Sequence, residues 1–485
     1  MKKSNTLVSG TVWTTISTIT TSVVQLLRLA ILARLLAKAD FGLVAILTLV
    51  LGVSQALSDL GFSSAIMHKK EISQKEFSSL YWIQFAIFGL FYLVVLFISP
   101  LVAGFYNEPL LVSLLPITML DILFQGFGKL YDVLAQKNFQ FKLLAIRSII
   151  SAIISLLIAV VMAYRGYGVY SLVISTLAHT LILQVWNFFV GQRYIKLCIY
   201  VSIKPVIPLI RIGLYQTGTQ ILDYLSSKID ILLLGKFLGT ESLGVYNLAK
   251  ELILKVVAIV NSIANRVILP FFAVMQDDNA KMRQSYCRLL SMLSYINFPI
   301  CAGVGALSAI IVPILYGNNY VELVPLVTIF SFWGMFVCIG NPVGNIVTAK
   351  GRTDLSFVYT IVRLFIHIPV TIVLAPMGLN VLAIGMVTMT VLLFFVAWYL
   401  ELNKTIGLSL KDYLSAFYKN LVLASCIVIA GYFFVQCDLL HWGSLILKLV
   451  AYAILIFTMY AALVYMFDRH RFWTMCKTVI TVIRK

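Results

Sequence analysis

The sequence predicts an all-α integral membrane protein of about 14 transmembrane helices, with both termini in the cytoplasm. Two six-helix lobes and a C-terminal helix pair make up this arrangement. Three observations carry the prediction. Of 485 residues, 61% are hydrophobic and 12% charged, against about 45–50% and about 25% in a soluble domain. A mean hydropathy of +0.97 excludes a soluble enzyme, a coiled coil and a disordered chain. Finally, apolar stretches of spanning length, about 20 residues, recur along the whole chain, and the cations are sorted by loop.

The first stretch, 11–35, follows Met1-Lys2-Lys3 and lacks a small-residue cleavage site, so it reads as an anchor with its N-terminus inside. Stretches 41–61, 79–103, 111–132, 146–164 and 168–190 complete a first lobe. A second lobe comprises 208–233, 243–267, 287–313, 323–346, 357–375 and 380–400, and the extra pair is 418–436 and 443–466. Connections after every second span, with the two tails, hold 25 of the 37 Lys and Arg, Lys142 and Arg147 among them. The opposite loops hold four: Arg34, Lys38, Arg165 and Lys236. The positive-inside rule puts the basic side in the cytoplasm. The net charge of +18 is therefore topology and implies no nucleic-acid partner. External loops such as 105–109 and 316–320 are short, so no soluble domain sits on either face.

Seven cysteines, odd in number and without a CxxC pair, and five scattered histidines support no disulfide framework, metal site or cofactor.

A shift of 202 residues lays Arg34-Leu-Leu-Ala-Lys-Ala-Asp-Phe-Gly42 on Lys236-Phe-Leu-Gly-Thr-Glu-Ser-Leu-Gly244. Under the same shift Thr14, Thr18, Thr21, Gln25 and Arg28 fall on Gln216, Gln220, Asp223, Ser227 and Asp230. Both sets occupy one helical face. The reading is a duplication: lobes 1–200 and 206–402, then a helix pair and basic cytoplasmic tail at 403–485.

Ionisable groups at membrane depth are expensive and face protein or a water-filled cavity. Arg28 lies eight residues, about 12 Å, from the external end of its span. Lys250, Lys255 and Arg363 are also deep, and these four are the expected cavity cations. Gln25, Gln55, Asp121, Gln216, Gln220, Asn247 and Asn261 are the expected polar lining. Asp223, Asp230 and Glu251 are the acids available for ion coupling or, with Asp121, for intramembrane pairing with the four cations. The bland readings stand beside these: threonines in the first span bond their own backbone, and His179 and His367 pack. Asp59, Lys129, Asp132 and Arg266 snorkel near span ends. Cations at depth attract an anion, and a guanidinium fork suits phosphate.

The opening Gly10-Thr-Val-Trp13, with Gln25, Arg28, Ala33-Arg-Leu-Leu36 and Asp40-Phe-Gly42, resembles the polysaccharide-transporter branch of the multidrug/oligosaccharidyl-lipid/polysaccharide exporter (MOP) superfamily. Asp59-Leu-Gly-Phe62, Phe105-Tyr-Asn-Glu-Pro109, Gln136-Lys-Asn-Phe-Gln-Phe-Lys142, Leu243-Gly-Val-Tyr246, Pro270-Phe-Phe272, Tyr316-Gly317 and Ala349-Lys-Gly-Arg352 agree. The resemblance implies two lobes of the kind seen in the multidrug sister branch, a central cavity and alternating access. It implies a Wzx-like flippase in the bacterial cytoplasmic membrane. Such a protein carries undecaprenyl-pyrophosphate-linked oligosaccharides for O-antigen, capsule or exopolysaccharide assembly, beside the pathway's polymerase and glycosyltransferases. The alternative is a multidrug cation/proton or sodium antiporter of the sister branch, which needs an acidic, aromatic pocket; the deep cations oppose it. A membrane glycosyltransferase is disfavoured because the external acids are separated and form no DxD.

Overall fold

A computed structural model of the chain describes residues 2–58, 62–69, 72–202, 207–275, 278–436 and 444–467. Asp59, Lys70, Lys204, Cys437, Asp438, His441 and the expected basic tail after 467 lie outside them.

Every regular element among the described residues is helical. The first lobe's spans appear as α1 (Lys2–Ala33), α2 (Lys38–Ser58), α4 (Gln74–Tyr106), α5 (Leu111–Lys137), α6 (Phe141–Tyr164) and α7 (Val169–Gly191), with a short α3 (Phe62–His68) between α2 and α4. Then follow α8 (Ile207–Val274), α9 (Asn279–Ala306), α10 (Ser308–Tyr316), α11 (Leu323–Ala349), α12 (Thr353–Leu374) and α13 (Leu379–Ala397). A π turn (Trp398–Asn403), α14 (Lys404–Ile406), α15 (Leu410–Ser415), α16 (Tyr418–Gln436) and α17 (Leu445–Phe467) complete the chain.

Among the described residues twelve helices are long and apolar enough to cross a membrane, and they coincide with twelve of the expected spans. The other two expected spans both fall in α8. Its 68 residues would run about 100 Å at 1.5 Å each, some three times the ~30 Å hydrocarbon core. Gly239 interrupts it with φ 78° and ψ 178°, a conformation open to glycine and costly for other residues. The break lies inside the expected 236–244 turn, so α8 is two helices joined there.

Three boundaries differ from the sequence reading. Helix α1 stops at Ala33, where Arg34 and Leu35 turn back onto the Ile31 and Leu32 carbonyls. Arg28 is therefore five residues from the helix end rather than eight. The expected span 287–313 divides at Leu307, whose N–H closes onto Gly303. The connection between the expected spans 41–61 and 79–103 holds a further helix, α3. Its Phe62 and Ile66 bury against Phe77, Leu80, Tyr81, Leu130 and Tyr131, an aromatic cluster that closes the basic ends of α4 and α5.

The chain forms two compact units, 1–248 with 360–382, and 249–359 with 383–485. In the first, α5 packs on α4 and α7, and α1 on α6. In the second, α9 packs on α11 and α16. Long apolar side chains such as Phe97, Leu101, Leu157 and Phe365 are exposed, as expected for helices whose outer face meets lipid.

Within the first unit, α2 and α8 touch backbone to backbone. A Cβ on Gly42 would lie 1.8 Å from the Thr240 carbonyl oxygen, and one on Gly244 would lie 2.0 Å from that of Lys38. The 202-residue shift exchanges these two contacts. Thr240 also donates to Glu108 at 2.7 Å, and Lys236 to the Phe105 carbonyl at 2.6 Å.

Candidate functional site

Arg28 is the best-defined polar group at depth. Serines and threonines on an apolar helix have little competition for partners, and three threonines of α1 bond their own backbone. Thr14 donates to Gly10, Thr18 to Thr14 and Thr21 to Ser17, at 2.7–2.8 Å. The guanidinium instead reaches α7, where Nη2 donates to the Leu172 carbonyl at 2.8 Å, the Ser175 hydroxyl at 2.7 Å and the Thr176 hydroxyl at 2.9 Å. Among the described residues all of Arg28's hydrogen bonds run through Nη2, and no carboxylate pairs with it. The charge is held by neutral dipoles, and the Nε and Nη1 edge is left for an outside acceptor. Such an edge binds a phosphate or carboxylate in bidentate fashion.

Arg363 is held differently. Its Nη2 meets Asp223 Oδ1 at 2.6 Å and the Asp223 carbonyl at 3.0 Å, while Nε donates to buried Ser226 at 2.7 Å. The pair lies on α12 and α8 within the first unit.

The second unit holds the two lysines. Lys250 is buried, with Nζ 5.3 Å from the centre of the Trp333 ring, a cation–π contact. Lys255 lies 3.9 Å from Glu251 one turn away. Because the cations divide between the units, the four expected groups are described as three separate settings: neutral acceptors, ion pairs and an aromatic face.

The expected lining divides likewise. Gln55 Nε2 donates to Asp121 Oδ2 at 3.2 Å, and Gln125 to the same oxygen at 2.6 Å. Gln25 and Asn247 are half-buried and Gln220 is exposed; Gln216 lies in α8 with its side chain outside the described residues. Asn261 is buried and accepts from the Cys338 thiol at 3.3 Å. Asp230 is fully buried and accepts from the Tyr246 hydroxyl at 2.8 Å.

Arg147, counted above among loop cations, is 6% exposed and pairs with Asp132 across the α5–α6 hairpin. The expected snorkelling of Asp132 is thus replaced by an intramolecular pair, because Arg147 lies in the second turn of α6 rather than at its end. Sequence reasoning also missed Ser175 and Thr176 as partners of Arg28. A signal was present: Ser171, Ser175 and His179, spaced by four, mark one polar face of α7. An apolar groove of about 380 Å³ along Ile182, Val185, Trp186, Phe189 and Val190 lies further along α7, away from these groups.

A family model described as polysaccharide biosynthesis protein matches residues 31–325. Lipopolysaccharide biosynthesis protein WzxC of Escherichia coli (strain K12) is 25% identical over 426 residues, covering 88% of this chain and 87% of that protein. Teichuronic acid biosynthesis protein TuaB of Bacillus subtilis (strain 168) is 26% identical over 351 residues, 72% of this chain and 73% of its own. Among solved structures, lipid II flippase MurJ in an inward closed conformation matches with a TM-score of 0.72, covering 93% of this chain and 98% of that one. At 16% identity that likeness establishes the fold. The chain belongs to the polysaccharide biosynthesis protein family and is a multi-pass, all-helical protein of the bacterial cytoplasmic membrane.

Proposed function

We propose that the protein is a flippase for undecaprenyl-pyrophosphate-linked oligosaccharides, serving O-antigen, capsule or exopolysaccharide assembly. Two six-helix lobes, 1–200 and 206–402, rock about a cavity that opens alternately to the two sides of the membrane; 403–485 is the accessory helix pair and tail. The reciprocal approach of Gly42 and Gly244 supports such a duplication. No bond is made or broken: the protein is a transporter rather than an enzyme, and works beside the pathway's polymerase and glycosyltransferases.

The observation that carries the reading is Arg28, a positive charge with no carboxylate partner and one guanidinium edge uncommitted among the described residues. It would meet the pyrophosphate, with Lys250 and Lys255 as further cavity cations, while Arg363 is engaged by Asp223. The drug-antiporter alternative needs acids at depth that are open to an organic cation, and Asp121 is closed off at 2% exposure with two amide donors on one oxygen. Asp223 is held by Arg363, Asp230 by Tyr246 and Glu251 by Lys255. Those three acids are the ones this reading considers for ion coupling.

The test is translocation of a lipid-linked oligosaccharide in vesicles, with surface glycan measured in cells whose only copy of the gene is mutated. A charge-assisted hydrogen bond is worth about 1.5–3 kcal/mol, so Arg28→Ala slows translocation by about tenfold or more, and Arg28→Lys recovers part of it. Undiminished translocation and normal surface glycan in Arg28→Ala would overturn the reading.

A further inference from the structure

The three acids considered for ion coupling all lie on α8. A different one is the more unusual. Asp121 sits near the middle of α5, ten residues from Leu111 and sixteen from Lys137, and is 2% exposed. Its Oδ2 takes both amide donors, Gln55 and Gln125, while Oδ1 is buried with no hydrogen-bond partner. Across from it on α7, His179 has a buried Nδ1 that is equally unpartnered. His179 lies within electrostatic reach of Asp121 and of Arg28 and within hydrogen-bonding reach of the Ser151 backbone of α6, and the Thr180 hydroxyl is within such reach of the Asp121 carboxylate.

We propose that Asp121 and His179 form a proton-binding site that couples proton movement to the flippase cycle, an inference that rests on the function given above. The two orphaned atoms are both proton acceptors, and one proton satisfies either of them. Held on Oδ1, it makes a neutral carboxylic acid beside a neutral imidazole; held on Nδ1, it makes an imidazolium beside a carboxylate. Both states carry the same net charge, whereas loss of the proton leaves a lone carboxylate at membrane depth, at a cost of several kcal/mol. The proton enters from water on one side and leaves to the other, with no redox change.

The charges around the pair are few. Arg28, on α1, is the cation nearby, and it is bonded to α7 rather than to Asp121. Arg147 of α6 is engaged by Asp132. The elements packed on α5 otherwise present Gln55 from α2 and Thr180 from α7. A sodium ion fits poorly: the amide groups turn N–H toward the carboxylate, and an imidazole nitrogen is no ligand for a hard alkali cation.

Gln55 gives the site a lever. It lies on α2, whose Thr48 carbonyl accepts the Tyr224 hydroxyl of α8 at 3.0 Å and whose Gly52 lies against the same ring. Protonating Asp121 on Oδ1 removes the negative charge that strengthens the Gln55 bond to Oδ2, and α2 is the helix that meets α8 at Gly42.

The experiment is a pH titration of the full-length protein in sodium-free lipid vesicles, read by the carboxylic-acid C=O stretch in difference infrared spectra. A titrating band is expected that is lost in Asp121→Asn, shifted in midpoint in His179→Gln and retained in Asp223→Asn and Asp230→Asn. Both principal variants are close in shape to the native side chains. A band that survives Asp121→Asn, or one that responds to sodium and not to pH, overturns the proposal. Translocation by the same vesicles under an imposed pH gradient separates the two claims. Flipping that ignores the gradient in the native protein sinks the proton site alone. A native protein that moves no lipid-linked glycan sinks the function, while the infrared band still decides the proton site.

Discussion

Arg28 and Arg363 are the same side chain at membrane depth in the same unit, solved in opposite ways. Arg28 leans on a carbonyl and two hydroxyls of α7. Arg363 is neutralised by Asp223 and steadied by Ser226. Neutral dipoles lower the cost of a buried cation without cancelling its field, so Arg28 still attracts an anion. An ion pair cancels most of the field and leaves a strut between α12 and α8. The lesson is that depth alone does not identify a substrate cation; what compensates it does.

The largest way to break this comparison is to remove each charge with and without its partner. Arg363→Ala leaves Asp223 alone and is expected to cut translocation several-fold. The double variant with Asp223→Ala recovers much of that loss, since the pair is a strut whose acid is 59% exposed and whose net worth is about 1 kcal/mol or less. Among the described residues Arg28→Ala has no carboxylate partner whose removal would rescue it. A double Arg363→Ala/Asp223→Ala variant as impaired as Arg28→Ala would erase the distinction.

A second, intermediate effect asks whether Arg28 is reached from the end where α2 meets α8. Overpacking at Gly42 costs about 1–3 kcal/mol, and Gly42→Leu would drive a side chain into the Thr240 carbonyl. In a cysteine-free background, Gln25→Cys, one turn from Arg28, is expected to react several-fold faster with a membrane-impermeant thiol reagent when Gly42 is Leu. The disulfide yield of a Glu108→Cys/Thr240→Cys pair should fall in step, because those side chains hydrogen-bond at 2.7 Å across the same contact. Unchanged labelling would place Arg28 on a path that this contact does not close.

Much of the architecture was legible in the sequence, because span length and loop charge are local. The turn 236–244 was recognised from its basic–acidic pattern and its glycine end, and the structure breaks α8 there at Gly239. Arg28 was legible as a deep cation for the same reason. Its partners were not: Leu172, Ser175 and Thr176 are 144, 147 and 148 residues away in sequence, and Asp223 and Ser226 are 140 and 137 from Arg363, and hydropathy carries no information on which helices meet. Arg147 shows the limit of charge counting, since a cation two turns inside a helix and one at its end look alike until Asp132 is placed beside it. The α3 cluster escaped because a seven-residue helix has too few turns to show periodicity.

The smallest prediction compares the two hydroxyls that steady these arginines, Ser175 and Ser226, both fully buried. Each substitution by Ala removes one hydrogen bond to a guanidinium. Nη2 of Arg28 keeps Leu172 and Thr176, and Arg363 keeps Asp223 through Nη2. With an alternative acceptor in place, the loss is near the lower end of the ~0.5–1.5 kcal/mol net worth of a hydrogen bond. The thermal midpoint in detergent should move by about 2 °C or less in both. Function should separate them. Ser175→Ala loosens a guanidinium that must present its other edge to a substrate, so the KM for lipid-linked glycan rises about two- to threefold. Ser226→Ala loosens a strut already fixed by its carboxylate, so KM stays at the native value. Equal KM changes would mean that the two arginines meet substrate alike, and that counter-charge is the wrong criterion for telling them apart.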